Sequence, residues 1–159
     1  MGLIPPPVAP AEPPICPYCG GQAILYKNSA QLYGGRDYGP TWACPCGARV
    51  GCHPGSTQPL GRLADERLRQ CKKAAHAALD ALWKRKMLRD KTDRHQARGA
   101  AYRWLAGQLG IPEQTCHIGW MDEAGCRAVI EVCGPYLRPE EAGSTASLMH
   151  PGPVCTTPR

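Results

Sequence analysis

The stretch Cys16-Pro17-Tyr18-Cys19-Gly20-Gly21 is answered by Cys44-Pro45-Cys46-Gly47, with 24 residues between Cys19 and Cys44. Each is a tight cysteine turn closed by glycine, the form of a zinc knuckle. Structural zinc takes four thiolate or imidazole ligands in a tetrahedron. A Cys-x-x-Cys turn brings two sulfurs to one ion, and the following glycine lets the backbone fold beneath it. The spacing therefore predicts one structural Zn2+ held by Cys16, Cys19, Cys44 and Cys46. The second pair is one residue tighter than a usual knuckle. A short strand from Ala48 to Gly51 could instead return Cys52 or His53 to the metal in place of Cys46.

Around the turns the text suits a small sheet. Gln22 to Tyr26 and Thr41 to Cys52 read as strand, with Ile24, Tyr26, Trp42 and Val50 available for pairing. Tyr33-Gly34-Gly35-Arg36-Asp37-Tyr38-Gly39-Pro40 is turn chemistry throughout. Knuckle, hairpin, knuckle and strand in that order predict a zinc ribbon.

Composition makes a staple necessary. The chain of 159 residues contains no Phe but 18 Gly and 17 Pro, so it buries little apolar surface per residue. Its ten cysteines could serve disulfides or metal. The opening Met-Gly-Leu-Ile-Pro-Pro-Pro-Val has neither the basic nor the apolar region of a secretory signal, and Pro6 stands where a myristoylation motif wants Ser or Thr. No apolar run is long enough to span a bilayer. The expectation is a cytoplasmic protein with reduced thiols, away from membranes, in which paired cysteines mean metal.

Charge is unevenly spread. Residues 62–103 carry thirteen basic side chains against five acidic ones, whereas residues 104–159 carry three against six. Such a segment is the natural place for an anionic partner, although charge runs are commonly solvated helix faces. Arg69, Lys72, Lys73, Lys84, Arg85, Lys86 and Arg89 are the expected nucleic-acid contacts, with Tyr102 and Trp104 nearby for stacking; Trp104 also suits a core position.

Helical periodicity begins after the loop His53 to Pro59. A first helix is expected from about residues 60–64 into the charged run 86–94, with Leu68, Cys71, Ala75, Leu79 and Leu82 forming an apolar stripe. His76 lies beside that stripe and reads as a packing residue. A second helix fits 94–109, with Ala97, Ala101, Trp104, Leu105 and Leu109 on one side, and Gly110 then Pro112 ending it. A third opens at Asp122 as N-cap, turns Cys126, Val129, Ile130 and Cys133 inward, and should stop at Gly134-Pro135. Cys116, His117, Cys126 and Cys133 could make a second metal site, but at helical spacing buried thiols pack as small hydrophobes.

Catalytic patterns are missing from the sequence. Cys-Pro-Tyr-Cys also occurs in glutaredoxin active sites, where a helix begins at the motif. Here a proline-rich arm precedes it and Gly20-Gly21 follows. There is no His-Glu-x-x-His, His-x-Glu, Gly-x-Ser-x-Gly or Walker loop, so a non-enzymatic protein is expected.

The ordered motifs Cys16-Pro17-Tyr18-Cys19-Gly20, Val50-Gly51-Cys52-His53, Thr57-Gln58-Pro59-Leu60-Gly61, Lys73-Ala74-Ala75-His76, Leu82-Trp83-Lys84, Ala101-Tyr102-Arg103-Trp104-Leu105-Ala106 and Cys116-His117-Ile118-Gly119 resemble a zinc-finger-containing family of unknown function from bacteriophages and prophages. The resemblance spans roughly residues 15–133. It implies a phage-borne intracellular protein with a zinc knuckle domain and a helical part, acting in the bacterial cytoplasm. It specifies no reaction.

Taken together, an α+β protein is expected: a zinc-ribbon domain over 15–58, a three-helix domain over 59–135, and disordered ends at 1–14 and 136–159. The expected function is nucleic-acid binding through the basic helix. The alternative is a protein-binding module that engages or inhibits a host factor through the ribbon and the acidic C-terminal third.

Overall fold

The computed structural model describes residues 12–137. The expected disordered ends fall outside the described residues, apart from 12–14 and 136–137. Chain contacts divide the protein into two compact units that meet in sequence at Glu66 and Arg67.

The first unit is a three-stranded antiparallel sheet in the order β1-β2-β3, with β1 at Ile24–Tyr26, β2 at Thr41–Ala43 and β3 at Arg49–Gly51. The strand-like stretch 41–52 holds both β2 and β3, because the expected knuckle at Cys44 to Gly47 turns the chain back on itself. Alternation fixes the register. Leu25 pairs with Trp42, and Trp42 with Val50, so these three lie in one row across the sheet. Leu25 and Val50 pack on a core of Cys16, Ala23, Trp42, Cys44, Ala48 and Leu63. β2 is buried along its whole length, as the central strand must be.

Beyond β3 the chain continues to pair. Leu60 N donates to Gly51 O at 2.9 Å, and Arg49 and Ala64 exchange backbone hydrogen bonds of 2.9 and 3.1 Å. Residues 59–64 therefore belong to the sheet unit, past the expected boundary at 58. For the same reason the first helix starts at Glu66 and not at 60–64.

The loop between β1 and β2 is organised by Asp37. Its Oδ1 accepts from Ser29 N at 2.9 Å, Ser29 Oγ at 3.2 Å and Gly39 N at 2.8 Å. The buried Ser29 hydroxyl in turn accepts from Tyr38 N at 2.7 Å. The Ser29 amide, then that of Gly39, holds the Asp37 carboxyl below the usual carboxylate range, against the smaller opposing effect of burial. A depressed folded value means that the loop's stabilisation is complete above the ordinary carboxylate range and disappears as pH falls through the folded value. Protection of the Ser29 and Gly39 amides, measured as exchange relative to the intrinsic rate at each pH, should therefore fall on acidification. In Asp37→Asn that acid-side change should vanish; its persistence would remove Asp37 from the account.

The second unit contains α1 (Glu66–Asp90), α2 (Arg94–Leu109) and α3 (Glu123–Leu137). α1 buries Leu68, Cys71, Ala75, Ala78, Leu79 and Trp83. Trp83 takes the inward place expected for Leu82, and its indole N–H donates to Asp80 Oδ1 at 2.7 Å. α2 begins at the Asp93 cap, whose side chain accepts from Gln96 N, and ends at left-handed Gly110. It buries Ala97, Ala101, Leu105 and Ala106, while Trp104 stays half-buried and meets the Tyr136 ring edge-on at 5.3 Å. α3 opens with Asp122 Oδ1 accepting from Gly125 N at 2.9 Å and buries Cys126, Val129 and Cys133.

α3 runs through Gly134-Pro135 instead of stopping there. Proline removes one N–H from a helix ladder and clashes with the carbonyl four residues earlier. In the last turn that loss concerns a single hydrogen bond, and the helix closes at Leu137. Among the described residues no helix is long and apolar enough to cross a membrane.

Candidate metal centre

The first knuckle is built by backbone geometry. Gly20 N donates to Cys16 O at 2.9 Å and Cys16 N to Gly21 O at 2.8 Å. Gly20 has φ +72°, a left-handed conformation that costs glycine little and L side chains much. In the second knuckle Gly47 N donates to Cys44 O at 2.9 Å, Cys44 N donates to Ala48 O at 2.7 Å, and Gly47 has φ +97°. Left-handed Gly47 reverses the chain straight after Cys46, so the tight Cys-Pro-Cys spacing still delivers two sulfurs.

Together the turns bring Cys16, Cys19, Cys44 and Cys46 into one cluster, with all four sulfurs within 4.8 Å of one another. The Cys16–Cys46 and Cys19–Cys44 separations are 3.5 and 3.3 Å. Zinc–sulfur bonds of about 2.3 Å in a tetrahedron put sulfurs roughly 3.8 Å apart. A disulfide would bring a pair to about 2.05 Å. The cluster has the dimensions of a metal site, and all four thiols are unbridged.

Electrostatics make the same demand. Burial works most strongly against a Cys16 thiolate, but the Tyr18 and Cys19 amides and the Cys46 and Cys44 thiols together outweigh it and lower its pKa to about 7. At Cys44 the Cys46 amide favours the thiolate. Burial and the neighbouring Cys19, Cys46 and Cys16 sulfurs oppose it and raise the pKa to about 12. One negative charge is accommodated and further ones are resisted, so ionising all four thiols needs a divalent cation among them. Cys16 and Cys44 are buried, whereas Cys19 and Cys46 are exposed.

The fourth member is Cys46 and neither alternative. Cys52 Sγ contacts Thr57 O at 3.5 Å, and the same carbonyl accepts the Trp42 indole N–H at 2.8 Å. Cys52 thus ties the 53–59 loop to the sheet. The His53 side chain is exposed, and its backbone N–H donates to Gln58 O at 2.9 Å.

The sequence profile of a zinc-finger-containing domain family matches residues 12–135, most of the chain. The chain belongs to that family. No curated protein and no solved structure matches it. A zinc-finger-containing domain and a four-cysteine cluster of these dimensions agree on one structural Zn2+, bound by Cys16, Cys19, Cys44 and Cys46.

Among the described residues this is the only His, Cys, Asp and Glu group gathered closely enough to hold a metal. Cys116, Cys126 and Cys133 are buried in the helical unit, where burial pushes all three thiols up. His117 is exposed and lies 6.0 Å from the Tyr102 ring, centroid to centroid.

The seven expected nucleic-acid contacts do not share one face. Lys72 donates to Gly119 O and Arg85 to Tyr136 O, each at 2.7 Å. Lys86 and Arg89 pair with Asp90, whose carboxyl is held far below its usual range by Arg89 first and then Lys86. Lys73 and Lys84 are exposed, on the same side of α1 as half-buried Arg69. Arg94, Arg98 and Tyr102 form a separate row on α2, whose i, i+4, i+8 spacing is visible in the sequence.

Proposed function

We propose that the protein is a non-enzymatic nucleic-acid-binding protein whose zinc is purely structural. Four cysteine ligands leave no open coordination position of the kind a catalytic zinc keeps. The observation that carries the binding reading is the concentration of exposed cations on the helical unit: Lys73 and Lys84 on α1, Arg94 and Arg98 on α2. Helices hold the backbone under these side chains, so only the side chains themselves are ordered on contacting phosphate. A bacteriophage accessory role in the bacterial cytoplasm belongs to the same proposal and is supported by the motif resemblance.

Binding of this type weakens linearly in log–log with salt, with a slope set by the number of phosphates contacted. A labelled oligonucleotide should bind at low salt and lose affinity steeply towards moderate salt, as read by fluorescence anisotropy. Lys73→Glu with Lys84→Glu should weaken every sequence alike and reduce the slope by about one per lost contact. Absence of binding at low salt would discard this reading.

A second reading, engagement of a host protein, is favoured by the exposed apolar side chains Ile15, Ile24, Tyr38 and Leu60 on the sheet unit. Retention of a defined host protein by the wild-type chain, lost in Ile24→Asp, would support it. Equal retention by both chains would count against it.

A further inference from the structure

Two open grooves in the helical unit share Arg94 as a wall. One, of about 580 Å³, runs between Trp83, Lys84, Leu88 and Arg94. The other, of about 460 Å³, is lined by Arg94, His95, Arg98, Gly99, Tyr102 and His117. Each cation in them lies against a ring. Arg94 and Lys84 sit 5.7 and 5.6 Å from the Trp83 ring, and Arg98 sits 5.4 Å from Tyr102. Asp80 is the carboxylate lining the first groove, and its Oδ1 is taken by the Trp83 indole.

Gly99 singles out the second groove. It lies inside α2, where glycine costs a helix roughly 1 kcal/mol against alanine. Packing does not require it. A Cβ there would meet only Arg103 Nη1, at an ordinary 3.6 Å. Glycine keeps the groove wall beside Arg98 and Tyr102 free of a side chain. Guanidinium groups beside aromatic faces, over a floor without a side chain, suit a phosphate followed by a flat base. A duplex keeps its bases stacked and cannot insert them; a single strand can.

We infer that the groove on α2 lined by Arg94, Arg98, Gly99 and Tyr102 receives bases of single-stranded nucleic acid, a base displacing the exposed Arg98 guanidinium from the Tyr102 ring while Arg98 and Arg94 turn to the backbone phosphates. This rests on the nucleic-acid reading above and narrows it to one strand and one place.

The test uses the full chain, a labelled oligothymidine of about twelve nucleotides, within the range of single-strand site sizes, and a duplex of equal length. Gly99→Leu should fill the groove and weaken single-strand binding by about fivefold to 150-fold, the worth of one stacked base. Its thermal midpoint should be unchanged or higher, since leucine is the better helix former. Tyr102→Phe should keep the affinity and Tyr102→Leu should lose it, which decides the matter even if Gly99→Leu misfolds. Single-strand affinity indifferent to all three changes overturns the groove while leaving nucleic-acid binding in place. Tight duplex binding without single-strand binding does the same. No binding of either probe at low salt ends both.

Discussion

Cys16→Ser is expected to abolish zinc retention and to unfold residues 12–66 as a body. Two of the six core residues of the sheet unit, Cys16 and Cys44, are themselves metal ligands, so this core cannot persist once the ion leaves. The strands are three residues each, far too short to stand alone. Structural zinc contributes about 10–16 kcal/mol in small fingers, more than the total stability of many domains. Elemental analysis should find close to one zinc per wild-type chain and almost none in the variant, with loss of dispersed amide signals from the sheet unit. Cys52→Ser is the matched control: its sulfur is engaged with Thr57, so zinc content should remain at one. Zinc-free protein with the sheet unit intact would refute the metal-centred account.

Leu105→Ala should be strongly destabilising in the helical unit. Leu105 is fully buried on α2, one turn from buried Ala101 and beside buried Ala106. Its neighbours on that helix cannot extend into the vacated volume. Leucine-to-alanine changes at such positions cost about 2–5 kcal/mol. Urea or thermal unfolding followed by helical circular dichroism should show this loss, with zinc content unchanged. A shift below about 1 kcal/mol would mean the site collapses freely, contrary to the packing described.

What was legible in the sequence was local. The knuckles, the turn chemistry at 33–40, the Asp122 cap and the Gly110 stop depend on neighbours a few residues away, and all appear where their side chains predict. The sequence named Cys46 as the fourth ligand but left Cys52 and His53 as alternatives. The choice depends on the path of β3 and on Thr57, whose carbonyl holds Cys52 away from the cluster. Gly134-Pro135 misled because proline near a helix end costs one hydrogen bond, too little to stop the helix.

The basic surface was legible in amount and not in arrangement. Lys72 and Arg85 find carbonyl partners 47 and 51 residues away, which no local pattern reveals. The Arg94, Arg98, Tyr102 row is readable from its spacing, whereas nothing in the sequence marks the neighbouring Gly99 as groove-lining.

The interior of the helical unit draws on Ala75, Ala78, Ala97, Ala101 and Ala106 in a chain without phenylalanine. At these five positions the interior has only a methyl group to lose and no room to gain more. Enlarging Ala97 to Val should therefore cost about 1–3 kcal/mol by crowding. Substitution at these positions is thus confined from above, by a ceiling on side-chain size.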